Sequence, residues 1–223
     1  LLESIINKYK PKFILNFAAY TDVNNCEIEP NYAYAINSDG PKNLAILSAK
    51  YNFKLVHIST DYVFDGQSKK PYSELEKTNP INIYGKSKLL GENNIINNTD
   101  NYIIIRTSWL YSMFKTNFVL KIIKKLKSHQ NFNVVIDEIS SPTYTYNFSL
   151  VLNSITKITN FSNGIYHWSD KKYCSRFKFA KIIQEMCLEK KIINYESEIS
   201  PSKPDNLRPK FSALSSIKLM KEI

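Results

Sequence analysis

The chain has 223 residues, enough to bury one good core or one domain with a smaller lobe. Its 43% hydrophobic content is that of a globular protein, and no apolar run approaches the ~18 residues that would cross a bilayer. The net charge of +10 invites a nucleic-acid reading, but the lysines stand as dispersed pairs (Lys69-Lys70, Lys124-Lys125, Lys171-Lys172, Lys190-Lys191) and not as one stripe. A basic surface also suits a substrate that carries phosphates. Neither a nucleic acid nor a membrane is expected as partner.

Three cysteines, Cys26, Cys174 and Cys187, lie far apart, and His57, His129 and His167 are scattered. The spacing fits reduced cytoplasmic thiols and argues against a disulfide framework or a metal site. The start, Leu1-Leu2-Glu3-Ser4, has no basic region of the signal-peptide kind and no initiator Met, so upstream residues are expected.

In chain order, Leu1 to Lys10 reads as the end of an amphipathic helix that Pro11 stops. Phe13 to Phe17 is a short apolar strand of the doubly covered kind. A helix follows from roughly Tyr32 to Tyr51, with Gly40-Pro41 as an expected interruption. Lys54 to Ile58 is a second strand, ending in Ser59-Thr60-Asp61. After a polar loop, a helix starts near Tyr84 and runs to about Asn97, and Tyr102 to Arg106 is a third strand. Beyond it, helices are predicted over 114–128, 148–158 and 176–188 and strands over 132–136 and 164–168, with a turn at Ser140 to Tyr144 and a proline-rich end, Pro201 to Pro209, that carries Arg208.

Short apolar strands alternating with helices predict an α/β fold with a doubly wound parallel sheet. Ligands of such sheets bind beyond the carboxyl ends of the strands. Those ends carry Ala18-Ala19-Tyr20-Thr21, Ser59-Thr60-Asp61 and Thr107-Ser108-Trp109, which should converge on one crevice with Tyr84 and Lys88. Tyr84 and Lys88 are four apart and so share a helix face. A tyrosine, with an ordinary pKa near ~10, becomes a better acid–base group when a cation lies close, and a Thr60 hydroxyl could bond the same substrate oxygen. Against this stands the bland alternative of a solvated helix face. None of the five glycines forms G-x-G-x-x-G or G-x-x-G-x-x-G, so the opening βαβ unit that would seat a dinucleotide pyrophosphate is expected to be missing.

In combination, NFAAYTDVNNCE, AINSDGPKNLA, HISTDYVFDG, NPINIYGKSKLLGE, IIRTSWLY, SSPTYT, GIYHW and the late RP resemble the extended short-chain dehydrogenase/reductases, and within them the dTDP-4-dehydrorhamnose reductase family, from about Pro11 to the C-terminus. The resemblance implies a Rossmann-like fold, with residues 1–110 as a truncated dinucleotide-binding domain and 111–223 as mainly a sugar-nucleotide lobe with segments returning to the sheet. It implies reduction of the 4-keto group of a dTDP-linked deoxy sugar by NADPH or NADH. Tyr84 would be the proton donor, Lys88 would bind the nicotinamide ribose and lower the Tyr84 pKa, and Thr60 would bond the substrate oxygen. Ala19, Tyr20, Thr21 and Ile58 would line the cofactor; Asp61, Trp109 and Arg208 would meet the substrate. A homodimer stays open. Rival readings are another sugar-nucleotide reductase or epimerase, and a regulator resembling the regulatory subunit of methionine adenosyltransferase. That subunit lacks the Thr of S-T-D and the R-T-S-W pattern, both present here.

Overall fold

The computed structural model describes residues 1–158, 160–203 and 206–223; Pro204 and Asp205 of the proline-rich end lie outside them. The N-terminal part runs α1 (Leu2–Tyr9), β1 (Phe13–Asn16), α2 (Val23–Ile28), α3 (Pro30–Tyr34), a π-helical turn (Ala35–Asp39), α4 (Gly40–Tyr51), β2 (Lys54–Thr60), a 3₁₀ turn (Asp61–Val63), α5 (Ile83–Asn98) and β3 (Tyr102–Thr107). There follow β4 (Leu110–Tyr111), α6 (Phe118–Lys127), β5 (Phe132–Val135), β6 (Ile139–Ser140), β7 (Thr143–Tyr144) and α7 (Thr145–Lys157). The chain closes with β8 (Gly164–His167), β9 (Cys174–Ser175), α8 (Arg176–Glu189), β10 (Ile199–Ser202) and α9 (Ile217–Met220).

The main sheet has the order β1-β2-β3-β8, and all its pairs are parallel. Alternating side chains divide its two faces. Leu55 and Ile104 pack with Ile6, Ala45 and Ile95, from α1, α4 and α5. Val56, Ile58, Ile103, Ile105 and Tyr166 pack instead with Phe148, Val151, Leu152 and Ile155 of α7 and Leu219 of α9. Helices therefore cover both faces, as the apolar strands predict. A separate apolar cluster joins α6, α8, β5 and β10 through Ile122, Leu126, Phe132, Ala180, Ile183 and Ile199.

Gly40-Pro41 does not break the helix; Pro41 sits in the first turn of α4, where its missing N–H costs nothing. The irregularity lies just before it, in the π turn that carries buried Asn37. The strand over 132–136 forms, but it pairs with β10 and stays outside the main sheet. β10 was not expected from the sequence, nor was α2, whose N-cap Asp22 accepts from the Asn25 amide at 3.1 Å. Two short strands, β6 and β7, flank the expected turn at Ser140 to Tyr144.

Candidate functional site

The carboxyl ends of β1, β2 and β3 open into one crevice of about 590 Å³. Ala19, Thr21, Ile58, Thr60, Asp61, Tyr84, Lys88, Trp109 and Arg208, nine of the residues singled out from the sequence, line it. Tyr20 is set apart: its phenol donates to Glu29 at 2.7 Å and its ring meets Tyr32 edge-on. The Tyr20 backbone is held by Asn37, whose Oδ1 accepts from Tyr20 N at 2.8 Å and whose Nδ2 donates to Tyr20 O at 2.9 Å. Asn37 also donates to Ser87 Oγ at 3.1 Å, which ties the strand-end loop to α5.

Helix α5 is placed by its cap and by close backbone approach. Asn82 Oδ1 accepts from Gly85 N at 2.7 Å, and its Nδ2 donates to the Leu207 carbonyl at 2.7 Å, so one side chain starts the helix and delivers the segment that carries Arg208. A Cβ on Gly85 would stand 2.1 Å from Tyr62 O, and one on Gly91 would stand 2.1 Å from Asn37 O. Only glycine lets α5 lie this close to the 3₁₀ turn and the π turn. On its buried side Glu92 takes Arg106 Nη2 at 2.6 Å and Nε at 3.0 Å and also accepts from Ser59, locking α5 to β2 and β3. Arg106 and Glu92 are 3% and 1% exposed, so the pair is fully desolvated.

Tyr84 packs edge-on against Tyr62 at 5.7 Å. Burial pushes its phenol up to about 12, while a hydrogen bond with Thr60 works in the opposite direction. Lys88 Nζ donates to Ile58 O at 2.7 Å and lies 3.2 Å from His57 Nε2. Burial brings Lys88 itself down to about 8, against the pull of Glu92. Burial thus favours the protonated phenol at Tyr84.

Asp61 faces inward more than outward. Its carboxylate accepts from Thr60 at 3.2 Å, from Ser140 at 3.1 Å and from Ser212. It thereby joins the end of β2 to β6 and to the C-terminal segment. Burial raises its pKa to about 6, with the three hydroxyls opposing. Thr60 also caps the 3₁₀ turn by accepting from Tyr62 N at 3.1 Å.

The opposite wall carries a residue that the sequence reading did not single out. Arg176, the first residue of α8, lies with its guanidinium 3.6 Å from the centre of the Trp109 ring and 3.7 Å from Glu138. Trp109 itself has φ 42°, a left-handed backbone that is strained for a bulky side chain. Arg208 reaches Asn24 Oδ1 at 3.1 Å and Glu138 at 4.0 Å. Glu138 therefore braces both arginines. Nothing in local periodicity marks Arg176; its only signal is a cation following the Ser175 N-cap, which accepts from Lys178 N. Thr107 Oγ1, in the crevice wall, is buried without a hydrogen-bond partner among the described residues. No metal-binding cluster occurs among the described residues, and no helix among them is long and apolar enough to cross a membrane.

Comparison with known proteins agrees with this architecture. Residues 1–223 match the RmlD substrate binding domain family, and the chain belongs to that family. It is 41% identical over 208 residues to the spore coat polysaccharide biosynthesis protein SpsK of Bacillus subtilis, covering 93% of this chain and 72% of that protein. It is 38% identical to a dTDP-4-dehydrorhamnose reductase of Sinorhizobium fredii, over 81% of this chain and 62% of the relative. A crystal structure of the Bacillus anthracis dTDP-4-dehydrorhamnose reductase in complex with NADP superposes with a TM-score of 0.90 at 36% identity, covering 99% of this chain and 76% of that one. The chain thus spans roughly two thirds of the length of such curated relatives, between 62% and 72% for these two.

Proposed function

We propose that this chain carries the catalytic crevice of an NAD(P)H-dependent reductase that converts the 4-keto group of a dTDP-linked 6-deoxyhexose to an alcohol, as in dTDP-4-dehydrorhamnose to dTDP-L-rhamnose. The observation that carries the reading is the meeting of Thr60, Tyr84 and Lys88 at the carboxyl ends of parallel strands, within a chain 38% identical to a protein named for that reaction. Reduced, unpaired thiols at Cys26, Cys174 and Cys187 fit an enzyme of the cytoplasm.

The crevice fits the nicotinamide end of the cofactor. Ala19, Thr21 and Ile58 offer a small, largely apolar wall beside the buried Lys88 amine, and the orphaned Thr107 hydroxyl awaits a polar partner. Lys88 would hold the ribose hydroxyls there. When bound, reduced nicotinamide supplies a hydride to the carbonyl carbon. The chain's own residues manage the oxygen. Thr60 donates a hydrogen bond to the carbonyl oxygen, and Tyr84 gives its phenolic proton to the same oxygen as negative charge develops. Because burial keeps Tyr84 protonated, the donor is loaded before the substrate arrives. Trp109, with one face covered by Arg176, packs the sugar, and Arg208 and Arg176 give the crevice two guanidiniums suited to a diphosphate.

The test follows NADPH absorbance at 340 nm with dTDP-4-dehydrorhamnose as substrate. Stoichiometric NADPH consumption with formation of dTDP-rhamnose is expected. One further relative, 31% identical over 62% of its length, is named a dTDP-4-keto-6-deoxy-D-glucose reductase, so that keto sugar is assayed alongside. Turnover of neither sugar overturns the reading.

A further inference from the structure

Beside the crevice runs a row of three buried side chains, of which the chemistry above uses only Lys88. Asn16 ends β1, His57 lies in β2 and Lys88 on α5, with 6%, 0% and 1% of their surfaces exposed. Asn16 Nδ2 is 3.0 Å from His57 Nδ1, and His57 Nε2 is 3.2 Å from Lys88 Nζ.

Donor and acceptor counting places the protons. The Ala18 amide donates to Asn16 Oδ1 at 3.1 Å, so the Asn16 side chain must present its NH₂ to the imidazole. His57 Nδ1 is then the acceptor, and the neutral ring carries its proton on Nε2. That N–H points at Lys88 Nζ, which must accept it and is therefore a neutral amine, its own hydrogen going to the Ile58 carbonyl at 2.7 Å. An ammonium at Lys88 would set N–H against N–H. To relieve this the ring must move its proton to Nδ1. Asn16 must then turn its oxygen toward the ring and give up the Ala18 amide. An imidazolium offers no way out, because burial and the neighbouring lysine both hold His57 neutral.

We propose that His57 is a positioning residue that couples the proton on Lys88 to its own ring tautomer and to the orientation of the Asn16 amide. The charge state of Lys88 is thereby transmitted to the Ala18 backbone, between the crevice residues Phe17 and Ala19. The catalytic consequence rests on the reductase reading, whereas the coupling itself does not.

The groups around the row set where the switch falls. Glu92, one turn along α5, favours the charged lysine, but its carboxylate is shared with Ser59 and Arg106. Tyr84, one turn earlier on α5, and Asp61 line the same crevice as Lys88, and burial favours the neutral phenol at Tyr84. Burial of Lys88 outweighs Glu92 and brings the transition near neutral pH.

The test is ¹⁵N NMR of the wild-type protein, without cofactor, between about pH 6.5 and 9.5, a window that brackets an amine lowered to about 8. Above the Lys88 transition His57 is expected as the Nε2–H tautomer and below it as Nδ1–H. The Asn16 side-chain amide should shift at the same midpoint, with no imidazolium at any point. A ring that keeps one tautomer throughout the Lys88 titration overturns the proposal. In His57→Leu the link between Lys88 and Asn16 is cut, so the Asn16 side-chain amide should no longer shift at the Lys88 midpoint. An Asn16 amide that still shifts at that midpoint in the variant also overturns it. If His57→Leu does not fold, the wild-type titration still decides. If the protein reduces neither keto sugar but the tautomer follows Lys88, the reductase reading fails and the coupling stands.

Discussion

On the wall of the crevice built by β2, β3 and α5, polar groups are buried in matched sets; on the opposite wall, two arginines are held by longer contacts. Glu92 and Arg106 meet at 2.6 Å with both side chains almost wholly out of water, and Asn37, Ser87 and the Tyr20 backbone close a second set. Across the crevice, Arg176 and Arg208 approach Glu138 only to 3.7 and 4.0 Å and keep 20% and 25% of their side chains exposed. The difference teaches where rigidity is needed. The groups that would meet the reacting oxygen, Thr60 and Tyr84, hang on the locked wall. The groups suited to a charged nucleotide hang on the wall with room to adjust.

This contrast can be broken from the locked side first. Removing one partner of a desolvated ion pair leaves the other uncompensated, at a cost on the order of 3–5 kcal/mol. Glu92→Gln should therefore lower the unfolding free energy by that much, while Glu138→Gln, whose ion pairs with the two arginines are longer, should cost less. Equal losses in urea unfolding would dissolve the distinction. Next in size is Gly85→Ala. The added methyl meets the Tyr62 carbonyl, a backbone atom that cannot step aside, so α5 must shift. A loss of ~1–3 kcal/mol is expected, with a greater proportional fall in kcat than in cofactor affinity, because Tyr84 moves relative to Thr60.

A further effect is in the pH dependence of stability, at the joint between the two walls. Asp61 links them, and its pKa in the folded chain, about 6, lies above the ordinary 3.8. The folded state therefore binds this proton more tightly than the unfolded state does. Stability from this group is fully present below about pH 4, declines as pH rises toward 6 and is constant above. Asp61→Asn should flatten that part of the profile, as read from urea midpoints between pH 3.5 and 7. A decline of the same slope in the variant would assign it to other groups.

Much of this was readable from residue order. Apolar runs at Phe13, Lys54 and Tyr102 mark strands because both faces of the sheet are covered, and the strand ends mark the crevice because parallel strands all finish on one side. Tyr84 and Lys88 share a helix face through simple periodicity. What periodicity does not carry is which polar group satisfies which. The inward turn of the Asp61 carboxylate depends on Ser140 and Ser212, 79 and 151 residues away. Arg176 meets Trp109, and Phe179 of α8 meets Tyr111 of β4, through tertiary contacts that local sequence does not carry. Nor does spacing reveal that Lys88 meets His57 and the Ile58 carbonyl, long-range partners supplied by β2.

The most direct test of the central claim compares Tyr84→Phe with Lys88→Ala in NADPH binding and in keto-sugar turnover, with folding checked by circular dichroism. If Tyr84 is the proton donor and Lys88 the ribose anchor, Tyr84→Phe lowers kcat by at least ~10²-fold with NADPH affinity nearly intact, whereas Lys88→Ala impairs both. Tyr84→Phe that is well folded and retains near wild-type turnover would contradict the assignment.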